Sequence, residues 1–304
     1  MPKTYLTTRE MARAIDVSPS TMKRWVDLGT IRAPRTAGGH RRIPLDEAVR
    51  FIRTSGMPVR DPAAMGLPEL AAGLRDRFAA FEHFPAEDAE TQPPTTHPLA
   101  EALAQGDVVR FRGVLLDLYL RGTSVATICD GPLANLLNPQ RPTNNTTKPS
   151  EHVAHGHRDA DLCVQGLSHI RQLQPSAPAG APRAVGGAAP DDRSEVGTVM
   201  AATLLGDLGW DVLNLGAATP AEVLASAVAL EQVDLVWMIV SRTCTTDELN
   251  SWINTLATAI QGRSTTAAIL GHDLPHIDRP LPENLHLFDT WAAFETTIKD
   301  RTAS

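Results

Sequence analysis

The stretch from Ser18 to Ile43, S-P-S-T-M-K-R-W-V-D-L-G-T-I-R-A-P-R-T-A-G-G-H-R-R-I, constrains the fold more tightly than any other part of the chain. Ser18 can cap a helix whose first turn holds Pro19, where a missing N–H does no harm. Met22, Trp25 and Val26 recur at helical spacing and are expected to face a core. Ser20, Thr21, Lys23 and Arg24 lie mostly off that stripe and are free to meet a partner. Gly29 stands where a helix C-terminus favours a left-handed residue. Thr30 to Arg32 and Arg42-Ile43 read as two short strands, joined by a tight turn at Gly38-Gly39. Arg35, His40, Arg41 and Arg42 crowd that hairpin. A helix with a polar, basic outer face followed by a basic hairpin is the pattern of a winged helix-turn-helix. Its expected partner is double-stranded DNA, with the helix in the major groove and the wing on backbone or minor groove.

The flanks agree. Met11, Ala12, Ala14 and Ile15 supply the apolar face of a first helix over Arg9 to Ile15, and Asp16-Val17-Ser18 is the turn between the two helices. Pro44 opens a third helix with Leu45, Ala48, Val49 and Ile52 on one face and Asp46-Glu47 in the first turn. Residues 5–55 thus resemble the N-terminal DNA-binding domain of MerR-type regulators. The string T-A-G-G-H-R-R-I, the pair Arg24-Trp25 and the pair Leu28-Gly29 carry the resemblance.

Charge separates this head from the rest. Residues 1–60 hold 12 Lys and Arg against 5 Asp and Glu, a balance of +7, within a chain of 304 residues whose net charge is −7. The remainder is therefore acidic, which keeps nucleic-acid contact in the head. No long apolar run suits a membrane span, and Met1 to Glu10 shows no signal-peptide pattern, so a cytoplasmic protein without membrane contact is expected. Cys129, Cys163 and Cys244 are odd in number and far apart, as expected for incidental thiols in a reducing compartment.

Three proline-rich or polar breaks, Pro85 to Pro98, Asn138 to Ser150 and Gln174 to Pro182, divide the chain beyond the head. Between them the period is helical. Leu67 to Phe84, Leu99 to Leu103, Val108 to Leu120, Ser124 to Leu137 (kinked near Gly131-Pro132) and Glu151 to Leu173 predict a bundle with four main helices. From Arg183 strands and helices alternate. Ala184 to Gly187, Asp211 to Leu215, Val233 to Val240, Ala267 to Leu270 and Leu285 to Phe288 are the strands, and the continuous apolar run of the third is that of a strand buried on both faces. This predicts a doubly wound, Rossmann-like α/β domain with a parallel sheet. The expected organisation is a multidomain chain: winged helix-turn-helix over 1–60, helical bundle over 61–175, and α/β domain over 176–304.

That order is similar to the cobalamin-dependent MerR-type photoreceptor regulators of the CarH and LitR type. The resemblance implies a bundle that caps the upper face of adenosylcobalamin and an α/β domain that takes the lower face. It also implies an Asp-x-His-x-x-Gly loop that ligates cobalt. Here the loop reads Asp192-Arg193-Ser194-Glu195-Val196-Gly197, with Ser194 in the histidine's place, and a hydroxyl is a poor cobalt ligand beside an imidazole. Ser241-Arg242-Thr243 matches a strand-end motif of the family, but Arg242 brings a bulky cation close to the implied nucleotide-tail pocket. Gly271-His272 half-matches a glycine pair. Glu151-His152 matches a bundle motif whose tryptophan is replaced by Arg141. The family site residues would be His152, Asp192, Ser194, Gly197, Ser241, Thr243 and Gly271, in a degenerate pocket. Fold and site are separable properties.

His152, His155 and His157 do not converge from one helix, since the last points away from the other two, and exposed histidines at a helix start are expected instead of a metal site. No G-x-G-x-x-G follows the first strand of the α/β region. The reading is a MerR-type DNA-binding transcriptional regulator, not an enzyme. Its cobalamin-sensor-like region no longer holds cobalamin and serves oligomerisation (a homo-oligomer is expected), protein contact or another ligand. The alternatives are a working adenosylcobalamin light sensor that represses transcription and, from another class, a corrinoid carrier or mutase subunit.

Overall fold

The structure, a computed structural model, describes residues 3–74, 97–137, 149–230 and 232–302. The chain divides into two compact units, one of residues 1–124 and 132–175, the other of residues 125–131 and 176–304. The expected head and bundle lie together in the first unit, and the short segment Val125–Gly131 crosses to the second.

The first unit opens with strand β1 (Tyr5–Leu6) and helices α1 (Thr8–Ala14) and α2 (Pro19–Asp27). Thr7 and Glu10 form a reciprocal capping box on α1, and Ser18 caps α2 by accepting from the Thr21 amide. These caps fix where each helix begins. Met22 and Val26 are buried, and Trp25 is half-buried with its ring 5.3 Å from Phe51. Gly29 adopts φ +75°, the left-handed conformation that ends α2. Strand β2 (Ile43–Pro44) leads into α3 (Leu45–Ser55), whose face of Leu45, Ala48, Val49 and Ile52 is buried.

The wing differs from expectation. Thr30 to Arg32 form no strand. Ile31 is instead a fully buried anchor, and the Arg32 amide donates to Glu47 Oε1 at 2.7 Å. Pro34, which lacks an N–H, lies just beyond and prevents a longer ladder. The wing closes through a single antiparallel bridge between Arg35 and Arg41, with the Thr36 amide donating to the His40 carbonyl at 2.8 Å. Ile43 is extended as expected, but it pairs with Leu6 at the start of the chain.

Helices α4 (Pro62–Met65), α5 (Pro98–Ala104), α6 (Val108–Leu120), α8 (Ala134–Leu137) and α9 (Pro149–Leu173) complete the unit, and residues 70–74 are also helical. The rest of the helix expected over Leu67 to Phe84 lies outside the described residues. Gly73 and Gly113 meet where the helical residues 70–74 cross α6, and a Cβ on Gly113 would fall on the Glu69 carbonyl. Helix α3 packs on α6 and α9. Its Arg53 stacks over the Tyr119 ring at 3.7 Å and donates to the Tyr119 carbonyl.

In the second unit strands β3 (Arg183–Ala188), β4 (Asp211–Asn214), β5 (Leu235–Val240), β6 (Thr266–Gly271) and β7 (Leu285–Phe288) form one parallel sheet in the order β4-β3-β5-β6-β7. Helices α10 (Val196–Asp207), α11 (Ala221–Leu230), α12 (Thr246–Ile260) and α13 (Trp291–Thr302) connect or succeed these strands. Val236, Met238 and Val240 share a core with α11 and α12. The alternate residue Ile239 meets Gly197 of α10 from the opposite face. The expected helix over Ser124 to Leu137 is broken into α7 (Val125–Ile128), a π-helical turn at Cys129–Leu133 that contains Pro132, and α8. Helix α7 packs on α10 and α13, and Asp130 accepts from the Trp291 and Ala292 amides at 2.9 and 2.8 Å, capping α13.

Candidate functional site

On the head, α2 presents Ser20, Lys23 and Arg24 as exposed side chains and Thr21 as a half-exposed one. Their common direction results from the burial of Met22 and Val26, which turns the opposite face outward. The hydroxyls of Ser20 and Thr21 each lie 2.8 Å from Ser18 Oγ, so the helix start carries a small cluster of hydroxyls. Arg35 and His40 are exposed on the wing, and Arg42 is partly covered. Arg41 is ion-paired to Asp27, the last residue of α2, so the wing cations are not equivalent as the sequence suggested.

Glu47 supports this face from behind. It is buried and accepts from the Arg32 amide and from Arg50 Nε at 2.7 Å. Burial pushes its carboxyl up, but the hydrogen bonds from Arg50 and Arg32 outweigh that, and the group stays below the usual carboxylate range. The sequence pattern gives Glu47 only a helix-dipole role, because its partners lie on the base of the wing and one turn along α3.

In the second unit the chain order reverses between β3 and β5, the position where open α/β sheets form a crevice. Asp192, Ser194 and Ser241 come together there. Asp192 is 3% exposed, and its carboxylate accepts from the Ser194 amide at 3.0 Å, the Ser241 amide at 2.6 Å and the Ser241 hydroxyl at 2.6–2.7 Å. Gly197 sits in the first turn of α10, where a Cβ would come within 2.5 Å of Ile239 Cγ2. Gly271 ends β6 beneath Leu274, and Thr243 is exposed. The helical position of His152 is in α9, in the other unit; its side chain lies outside the described residues, as does Arg141.

Arg242 follows Ser241 just after β5. It pairs with Glu248 Oε1 at 2.8 Å and donates to the Pro190 and Thr243 carbonyls. The Arg242 hydrogen bond, with the Thr245 amide, holds the Glu248 carboxyl down at about 2. Glu248 sits three residues past the Thr245 cap of α12, so its own backbone position favours the pair.

Ser194 stands where the resemblance implies a histidine, and its amide binds Asp192. The Asp192 carboxylate is committed to Ser241. Deeper in, the fully buried Trp237 on β5 lies against Gly186 on β3, and an added Cβ there would overlap the indole. In sequence Trp237 is only one residue of an apolar strand; its packing on a glycine of the neighbouring strand has no local signature. Among the described residues no group of three or more His, Cys, Asp or Glu is placed to hold a metal ion; His155 is half-buried and His157 exposed. Among those residues no helix is long and apolar enough to cross a membrane.

Residues 5–55 match the family model described as a helix-turn-helix domain. The HTH-type transcriptional repressor CarA of Myxococcus xanthus is 27% identical over 242 residues, which span 76% of this chain and 75% of that protein. The resemblance to regulators of this type is borne out by these two matches. Among solved structures, the Methanosarcina barkeri monomethylamine corrinoid protein is similar at a TM-score of 0.47 and 16% identity, over 67% of this chain and 96% of that one. A cobalamin-binding protein from Desulfitobacterium hafniense DCB-2 is similar at a TM-score of 0.34 and 15% identity, over 85% of this chain and 98% of that one.

Proposed function

We propose that this chain is a sequence-specific, DNA-binding transcriptional regulator whose helix-turn-helix head reads the duplex through α2 and grips its backbone through the wing. The carrying observation is the outward face of Ser20, Lys23 and Arg24 beside an exposed basic loop, on a head whose net charge opposes that of the rest of the chain. Exposed cations on a helix that fits the major groove supply both base contacts and counterion release. The similarity to a transcriptional repressor supports the same reading.

The α/β unit, in this proposal, has exchanged a corrin for internal contacts. Asp192 and Ser241 tie the loops after β3 and β5 together, and the buried Trp237 ring of β5 lies over Gly186 of β3. The unit then serves self-association, protein contact or a different small ligand. Self-association fits the habit of helix-turn-helix regulators, which pair two heads on two half-sites.

The test begins with selection of duplexes from a random library by the full chain. Lys23→Ala/Arg24→Ala is expected to weaken binding to the selected duplex at least tenfold more than to a scrambled one, since a good side-chain pair to a base discriminates by about 1–3 kcal/mol. Failure to enrich any duplex would overturn the DNA reading. In the same preparation, light scattering is expected to show more than one chain per particle at micromolar concentration. After incubation with adenosylcobalamin and desalting, the visible spectrum is expected to show no corrin; stoichiometric retention would overturn the corrin-free assignment.

A further inference from the structure

The side chain of Arg41 leaves the wing surface and pairs through Nη2 with Asp27 Oδ1. It is 21% exposed, and its other terminal nitrogen, Nη1, is buried by protein with no hydrogen-bond acceptor. A guanidinium in that position has one fork arm committed to a carboxylate and the other covered, so it offers a phosphate little to bind. Arg35 and His40, by contrast, are exposed, and the partly covered Arg42 side chain forms no ion pair among the described residues.

Asp27 is the odd partner. It is the last residue of α2, and a carboxylate at a helix C-terminus opposes the helix dipole. It also shares a helix with Lys23 and Arg24, so it would repel the phosphates those cations approach. Both costs fall when Arg41 neutralises it. The backbone of the wing stem is held by the Arg35–Arg41 bridge and by the Arg42 amide donating to the Pro34 carbonyl at 3.0 Å. The Asp27–Arg41 pair therefore joins that stem to the end of α2.

We infer that Arg41 is a positioning residue: through Asp27 it sets the distance between wing and recognition helix, while Arg42 and Arg35 are the wing's phosphate contacts. The inference rests on the DNA-binding reading proposed above. It separates two roles by their ionic signature. A cation that meets phosphate releases counterions, and each such contact steepens the fall of log Kobs with log salt concentration by about 0.9. A cation already neutralised by a carboxylate contributes no such step but affects how well the two reading elements fit one site.

The experiment uses the full chain, the selected duplex and its scrambled counterpart, over a series of salt concentrations. Arg42→Ala is expected to reduce the slope by about 0.9 on both duplexes. Arg41→Ala is expected to leave the slope unchanged while lowering the preference for the selected duplex roughly tenfold, a loss of the size one mismatched contact brings. Asp27→Asn is expected to lower the preference similarly and to steepen the slope by about 0.9, because the freed Arg41 reaches phosphate. Hydrogen exchange of the Thr36 and Arg42 amides, read without DNA, is expected to accelerate in both Arg41→Ala and Asp27→Asn. A slope lost in Arg41→Ala as in Arg42→Ala, or wing amides indifferent to Asp27→Asn, would overturn the inference. If the unsubstituted chain enriches no duplex at all, the DNA-binding reading fails first, and that outcome is plainly different from a slope assigned to the wrong arginine.

Discussion

Glu10 illustrates how much a single side chain contributes to the head. It closes the capping box on Thr7 and accepts from Lys3 Nζ at 2.8 Å. The Lys3 hydrogen bond, and after it that from the Thr7 amide, holds its carboxyl at about 2, against an ordinary 4.5. A carboxylate depressed in the folded state stabilises it above the unfolded pKa, and that contribution is lost as pH falls through the folded value. The window therefore runs from about 4.5 down to about 2. The side chain is 34% exposed, so solvent screening limits the effect to at most about 1 kcal/mol. Glu10→Gln is expected to melt below the unsubstituted chain at pH 6, and the gap is expected to close by pH 2; a gap constant with pH would place the effect in packing. The capping residues Ser18 and Gly29 were legible because their chemistry involves neighbours in sequence. Asp27 with Arg41 was not, since that pair joins one element to another. The pair of Arg242 with Glu248 was hidden for a related reason, since Glu248 stands on the next helix.

At the scale of elements, periodicity identified the strands of the sheet and most helices within a residue or two, because burial on one or both faces leaves a regular trace. The wing strands failed this test. Ile31 and Ile43 look alike in sequence, yet Ile43 pairs with Leu6 while Ile31 is a buried anchor without a ladder. Strand partners brought from a distant stretch have no local period. The crossing of the helical residues 70–74 with α6 was equally hidden, because two glycines read as weak helix positions and not as a contact. Their backbones approach so closely that a Cβ on Gly113 would overlap Glu69 O and come within 2.8 Å of the Gly73 amide nitrogen. Gly113→Ala is expected to destabilise the chain by about 1–3 kcal/mol, the usual cost of overpacking, although alanine is the better helix former by about 1 kcal/mol. Denaturant unfolding measures the balance; a stabilised variant would show that the helices can separate without loss.

Over the whole molecule, the basic head and acidic remainder were evident from charge counts, and the parallel sheet of the second unit was evident from the alternation of elements. The place of Val125–Gly131 was not, since those residues continue a helical pattern that belongs to the bundle. The chain leaves the first unit, supplies α7 and Asp130 to the second, returns, and leaves again after Pro175. Residues 176–304 expressed alone would thus lack the acceptor for the Trp291 and Ala292 amides and the cover over α10. They are expected to be less soluble and less stable than when a peptide spanning Val125–Gly131 is added in trans, with a thermal shift as the readout; indifference to the peptide would refute this. The same interleaving bears on heredity. A regulator whose parts meet at one junction can be assembled by joining two genes end to end. No single breakpoint in this gene yields both units intact, so the α/β unit cannot be traded to another head by one recombination event unless residues 125–131 travel with it.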